Sequence, residues 1–232
     1  MLVKYWMRRD VVTVDIDDSM QHAISLIKEH QMPMLPVLKD GRLAGIITDR
    51  DLKRASASDA TSLDVHELIY LLSRIRIGDI MSKNPITVPP DYSVEEAAAV
   101  LLKNKISGAP VVDTQGRIIG SITQLDLFRA LISLTGLEKR GVQFAFELED
   151  RPGSIKDVTD VIRAYGGRLV SILSSYERAP DGFRNVYIRA FDIDREKMSQ
   201  LTEELKGKAR MLYMVDHRED KREEYVDMSP AA

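Results

Sequence analysis

A chain of 232 residues, 44% hydrophobic and 30% charged, has room for one large globular domain or two small ones, with no apolar run near the roughly 18 residues needed to cross a bilayer. A formal charge of −3 argues against nucleic acid as the main partner, because neutralising phosphates takes clustered Lys and Arg. The absence of cysteine excludes a disulfide framework and thiolate chemistry; together with a first segment, Met1 to Trp6, that lacks a signal-peptide pattern, it predicts a cytoplasmic protein that does not engage a membrane.

In chain order, the first feature is internal repetition. Gly41-Arg42-Leu43-Ala44-Gly45-Ile46-Ile47-Thr48-Asp49-Arg50-Asp51-Leu52 returns as Gly116-Arg117-Ile118-Ile119-Gly120-Ser121-Ile122-Thr123-Gln124-Leu125-Asp126-Leu127, at an offset of 75. Upstream the offset is 74: Met7 matches Met81, Thr13 matches Thr87, and Pro36-Val37 matches Pro110-Val111. The extra residue falls in a turn, where insertions are tolerated. Each copy predicts a lead-in strand (near Val11–Val14 or Ile86–Val88), a helix, two strands and a second helix beginning at the Thr. The first helix starts at Asp18 or Ser19 with Met20, Ala23, Ile24 and Ile27 at helical spacing, and its twin carries a Ser93/Glu96 capping box. Neither copy alone buries much of its sheet, so the two are expected to pack sheet to sheet. The predicted pair spans 1–136, with copy one at about 1–55, a linker helix at about 60–77 (Leu63, Val65, Leu68, Ile69, Leu71, Leu72, Ile75) and copy two at about 78–134.

Beyond Gly136 the pattern changes. Val142–Leu148 reads as a strand, and Ile155, Val158, Val161, Ile162 and Tyr165 trace a helix face closed by Gly166-Gly167. Strands at Leu169–Tyr176 and Phe183–Phe191 flank a turn at Ala179-Pro180-Asp181-Gly182. Asp194 then caps a helix with Met198, Leu201 and Leu205, and Ala209–Val215 is the last strand. The order is βαββαβ, a ferredoxin-like domain over 140–217. A charged tail, 218–232, is expected to be disordered.

Catalytic signatures are missing, and the histidines His22, His30, His66 and His217 have no metal-ligand spacing. No catalytic residue and no metal is therefore predicted. The repeated Thr-x-x-Asp has two open readings. Thr as N-cap with an acid three residues on is a helix-start device worth roughly 1 kcal/mol. Alternatively, a carboxylate at a helix N-terminus suited to anions holds the hydroxyls of a ribose. Asp is shorter than the usual Glu and is expected to close a capping box poorly, which favours the second. That reading fails if the carboxylates turn back onto their own main-chain amides and side chains fill the space between the copies.

The duplicated Gly-x-x-x-Gly-x-x-Thr-x-x-Asp resembles the CBS family, paired as a Bateman module. The resemblance implies an adenosine derivative (AMP, ADP, ATP or S-adenosylmethionine) between the copies, as a regulatory ligand rather than a cofactor. By that resemblance Asp51 and Asp126 hold ribose hydroxyls, with Thr48 and Thr123 near the sugar and phosphate. The adenine lies against Met32-Pro33-Met34 or Ser107-Gly108-Ala109 of the other copy. Arg50 is placed to meet a phosphate, whereas the second copy has Leu125 there, so the Asp51 cleft is expected to suit a phosphorylated ligand better. The C-terminal part resembles an ACT domain through Asp150-Arg151-Pro152-Gly153-Ser154-Ile155 and Gly166-Gly167; this implies amino-acid binding at that turn, or dimerisation alone, since Arg168 stands where Asn often follows. The order of parts, with Met1-Leu2-Val3-Lys4 and Leu68–Leu72, resembles the acetoin utilization AcuB group and implies a metabolic regulator.

The expected fold is thus α+β or α/β: two CBS units sheet to sheet, then a ferredoxin-like ACT domain. The expected function is a non-catalytic ligand sensor acting by conformational shift in a homodimer or larger oligomer, without nucleic acid or membrane contact, that controls a protein partner. Two alternatives stay open: a constitutive dimerising scaffold or partner-protein regulator with no ligand response, and an enzyme of acetoin or acetyl metabolism assembled from distant residues.

Overall fold

The computed structural model describes residues 1–59 and 73–226. The chain divides into two compact units, Met1–Ala130 and Leu131–Ala232.

In the first copy, β1 (Val14–Asp15) precedes α1 (Met20–His30), β2 (Met34–Lys39), β3 (Arg42–Thr48) and α2 (Asp49–Asp59). The second copy comprises α3 (Ile77–Ile80), β4 (Ser82–Lys83), α4 (Val94–Asn104), β5 (Gly108–Val112), β6 (Ile118–Thr123) and α5 (Gln124–Thr135). The expected helix starts are present: Ser19 Oγ accepts from the His22 amide, and Ser93 with Glu96 forms the full capping box. The hairpins also keep their sequence logic. Asp40 and Gly41, both at positive φ, join β2 to β3, while the longer second turn has Gly116 at φ 76° and the Asp113 carboxylate accepting from the Gln115 and Arg117 amides. Most of the expected linker helix, 60–72, lies outside the described residues; Ile75 packs partly against the first core.

The copies are tied together by an exchange of lead-in segments. Sheet order in the first copy is β1-β2-β3-β4, so a strand that belongs to the second copy closes the first copy's sheet. Reciprocally, Arg8 bridges Ser121 on β6, and Leu2 bridges Ser93. The cores follow the same exchange. Ile77 is buried with Met20, Leu35, Val37 and Ile47, whereas Val3 is buried with Val88, Leu101, Val111 and Ile122. Each such side chain contributes roughly 1.5–3 kcal/mol to the other copy's core. Two of the repeated glycines make room for this. A methyl group on Gly45 would sit 2.5 Å from Met81 Sδ and 2.8 Å from the Ser82 carbonyl; on Gly120 it would sit 2.5 Å from Met7 Sδ and 2.8 Å from the Arg8 carbonyl.

The second unit is built from β7 (Val142–Glu149), α6 (Ser154–Ala164), β8 (Arg168–Ser175), β9 (Phe183–Phe191), α7 (Met198–Lys208), β10 (Arg210–Asp216) and β11 (Lys221–Glu224). The element order β7-α6-β8-β9-α7-β10 matches the expected βαββαβ, and the strands pair antiparallel in the order β11-β10-β7-β9-β8. Alternate β7 residues Val142, Phe144, Phe146 and Leu148 face Val158, Val161 and Ile162 of α6 and Leu201 and Leu205 of α7. The tail expected to be disordered is ordered at its start: Lys221–Glu224 adds β11 to β10, and Tyr225 packs on the core. Charge masked this strand, because an edge strand with one solvated face tolerates Lys, Arg and Glu. The imidazole of His217, just past β10, has a pKa lowered chiefly by burial, then by Arg189 and Arg222, against Asp216 and Asp220.

Gly45→Ala and Gly120→Ala should each lower stability by about 1–3 kcal/mol in urea unfolding, since backbone carbonyls and not only a flexible Met stand in the way. A second expectation concerns acid. A histidine with a depressed folded pKa lends stability that is complete above its unfolded pKa and declines as pH falls through about 6.5 toward the folded value. The unfolding midpoint should therefore drop between pH 7 and 5, above the range where carboxylates titrate, and His217→Gln should flatten that drop.

Candidate functional site

The Thr and Asp of each copy sit where a strand becomes a helix, β3 into α2 and β6 into α5. Asp51 Oδ2 accepts from the Thr48 amide at 3.0 Å and from the Thr48 hydroxyl at 2.6 Å, while the Asp51 amide donates back to Thr48 Oγ1 at 3.3 Å. In the second copy the corresponding distances are 3.0, 2.6 and 3.4 Å between Thr123 and Asp126. The expectation that Asp is too short for a capping box is therefore corrected. It closes the box because the Thr hydroxyl reaches toward it. One carboxylate oxygen in each copy is thus committed to its own helix start. The other, Oδ1, meets an arginine one turn on, Arg54 in the first copy and Arg129 in the second, each at 3.1 Å. Those guanidiniums are mostly exposed while Asp51 and Asp126 are buried. The second carboxylate oxygen is the one that solvent-side cations hold.

The space between the copies is open. A cavity of about 510 Å³ is walled by Ile27, Gln31, Met32, Pro33, Met34 and Asp49 of the first copy and by Ser107, Ser121, Thr123, Gln124 and Leu125 of the second, with Arg8 on its edge. The structure thus brings together Met32, Pro33, Met34, Ser107 and Thr123 from the predicted residues. Gly108 and Ala109 lie behind that wall: Ala109 is fully buried, and a methyl group on Gly108 would come within 3.3 Å of Met34 Cε. Thr48, Arg50, Asp51 and Asp126 do not line the cavity; Arg50 is exposed at the start of α2, and Asp126 stands behind Thr123.

Position 125 is Leu where the first copy has Arg50, and a different cation, Arg8, reaches the second copy's side of the cavity. Arg8 Nε approaches Asp126 Oδ1 to 3.7 Å. Sequence reasoning missed Arg8 because it belongs to the first copy's lead-in, which the exchange carries to the second copy's sheet. It also missed Ser121, whose buried hydroxyl has no hydrogen-bond partner among the described residues although it stands at the cavity wall. An unpaired buried hydroxyl is costly unless something else satisfies it. The one available signal was that the twin position holds the apolar Ile46.

The C-terminal turn is arranged differently. Gly153 caps α6 at φ 89°, and Arg151 is tied to Glu149 and Asp157, each at 2.9 Å. Its pKa is raised by Asp157 first and Glu149 next. Ser154 is buried and donates to the Arg151 carbonyl, Ile155 packs on the core, and Pro152 precedes the cap. Arg184 of β9, which sequence reasoning did not single out, stands behind this turn: Nη2 donates to Ser154 Oγ at 3.3 Å, and Nε lies 3.6 Å from Asp150 Oδ1, an ion pair too long for a hydrogen bond.

Comparison with known proteins agrees with the duplication. The CBS domain pattern matches residues 3–58 and 77–133. A CBS domain-containing protein of Dictyostelium discoideum is 34% identical over 134 residues, covering 57% of this chain and 92% of that protein. The chain belongs to the CBS domain family. It is also 36% identical over 120 residues to inosine-5′-monophosphate dehydrogenase of Korarchaeum cryptofilum, a match that takes in 52% of this chain and only 22% of that enzyme. Among solved structures, CBSX2 in complex with AMP is 29% identical, with a TM-score of 0.47 over 56% of this chain and 96% of that one. Among the described residues no helix is long and apolar enough to cross a membrane.

If the reciprocal caps hold the two helix starts, Asp51→Ala and Asp126→Ala should each cost about 1–2 kcal/mol in urea unfolding. Asp126→Ala should cost more, because it leaves Arg8 as well as Arg129 without the carboxylate. Equal wild-type stability in both variants would show that the caps contribute nothing.

Proposed function

We propose that this CBS pair is a non-catalytic sensor of an adenosine derivative, bound in the cavity between the copies on the Asp126 side. The observation that carries the reading is the unpartnered Ser121 hydroxyl on the wall of a roughly 510 Å³ cavity, with Thr123 and Arg8 beside it and the apolar Met32, Pro33 and Met34 opposite. Such a site offers an apolar slot for a flat base and polar groups for a sugar and its substituent. Oδ2 of Asp126 stays in the cap, and Oδ1 is the acceptor for ribose hydroxyls once its arginines yield. The family membership is consistent with a regulatory rather than a catalytic role, and the enzymes that share the pair share only that part of their length.

Signalling follows from differential binding. A ligand gripping both walls favours the arrangement in which they stand closest, and it shifts the population only by that preference. The C-terminal unit is read as ACT-like on its βαββαβ order and strand arrangement. Its contribution is a pairing surface for a second copy, with the Gly153 turn and Arg184 as the place where an amino-acid carboxylate would be taken.

The experiment is ligand-dependent unfolding of the full chain. AMP at a hundredfold excess over its dissociation constant should raise stability by about 2.7 kcal/mol. Gln124→Trp, which fills the cavity from an exposed position, should abolish the gain while leaving ligand-free stability intact. No gain with AMP, ADP, ATP or S-adenosylmethionine would defeat the sensor reading and favour a constitutive scaffold.

A further inference from the structure

Resting on the cleft reading above, we propose that the Asp126 side of the cavity selects adenosine ligands bearing a 5′-phosphate over those bearing a 5′-sulfonium, and that Arg8 is the selecting residue. The argument is one of charge. Asp126 carries one negative charge and faces two guanidiniums, Arg129 at 3.1 Å and Arg8 at 3.7 Å, so the group as a whole keeps one positive charge in excess. Among the described residues the remaining ionic group on the cavity wall, Asp49, is matched by Lys53 at 2.6 Å. Ser107, Ser121, Thr123 and Gln124 are neutral. Near a protein surface a unit charge at contact distance is worth several-fold more than in water, so an unbalanced cation favours an anionic substituent and opposes a sulfonium.

Geometry places the excess charge where a ligand meets it. Arg8 is 37% exposed in its side chain against 2% for Asp126, so Arg8 is the solvent-side partner of the pair. Its backbone exchanges two hydrogen bonds with Ser121, each of 2.9 Å, which roots the guanidinium beside the orphaned hydroxyl. A phosphate that takes the Arg8 fork and the Ser121 hydroxyl draws Arg8 off Asp126 Oδ1 and releases that oxygen to the ribose. Plain adenosine must instead compete with Arg8 for the same oxygen. The first copy is built otherwise, with Ser82 at the position matching Arg8 and Ile46 at that matching Ser121. The preference therefore belongs to one side of a duplicated module.

Calorimetric titration of the full chain with AMP, adenosine and S-adenosylmethionine tests this. AMP should bind at least about tenfold more tightly than adenosine, S-adenosylmethionine more weakly than either, and raising the salt should erode the AMP advantage. In Arg8→Gln the AMP-to-adenosine ratio should collapse toward one, and Arg8→Lys should restore part of it through charge without the fork. The ratio is read within one variant, so a general loss of stability does not imitate the effect. Equal affinities in the wild type, tighter binding of S-adenosylmethionine than AMP, or an unchanged ratio in Arg8→Gln would overturn the assignment and leave the cleft reading standing. Failure of all three compounds to bind would bring down the cleft reading and this inference with it.

Discussion

A methionine side chain laid across a glycine, once on each sheet, is the contact on which the first unit depends. Met81 crosses β3 at Gly45 and Met7 crosses β6 at Gly120, and no side chain larger than hydrogen fits beneath them. Because the crossing segment always comes from the other copy, neither copy completes its own core. Val3 and Ile77 are the buried residues that show this most directly. The same crossing delivers Arg8 to the edge of the cavity, so an architectural constraint and a chemical one share a cause.

Duplication explains why the site is a pair, and divergence explains why the pair is unequal. The two caps agree to within a tenth of an ångström in every hydrogen bond. Around them the copies differ where a ligand would notice: a free-standing serine hydroxyl against Ile46, an arginine against Ser82, Leu125 against Arg50. The carboxylate itself serves two ends. Its inner oxygen fastens the helix, and its outer oxygen faces an arginine one turn on. Capping therefore commits only one of the two oxygens of each Thr-x-x-Asp.

The second unit rests on a simpler principle. A five-stranded antiparallel sheet turns alternate apolar residues of β7, β9 and β10 toward two helices, and a charged hairpin extends one edge as β11. At its other edge β8 exposes Ile172, a large apolar side chain on a strand without an outer neighbour among the described residues. The Gly153 turn is internally satisfied through Arg151, and Arg184 supplies from behind a charge that the local sequence does not announce.

Much was legible in the residues alone. Periodicity, caps and turn glycines determined the helices, the strands, the duplication and the βαββαβ order, since each is a short-range consequence of backbone sterics and apolar spacing. Met32, Pro33, Met34, Ser107 and Thr123, which the family resemblance singled out, line the cavity. Tertiary structure alone decided which copy each lead-in joins, and hence that Arg8 and Ser121 stand together at the Asp126 side and that Arg50 stands apart. The Arg8 contacts join residues more than a hundred positions apart in the chain, where no periodicity reaches.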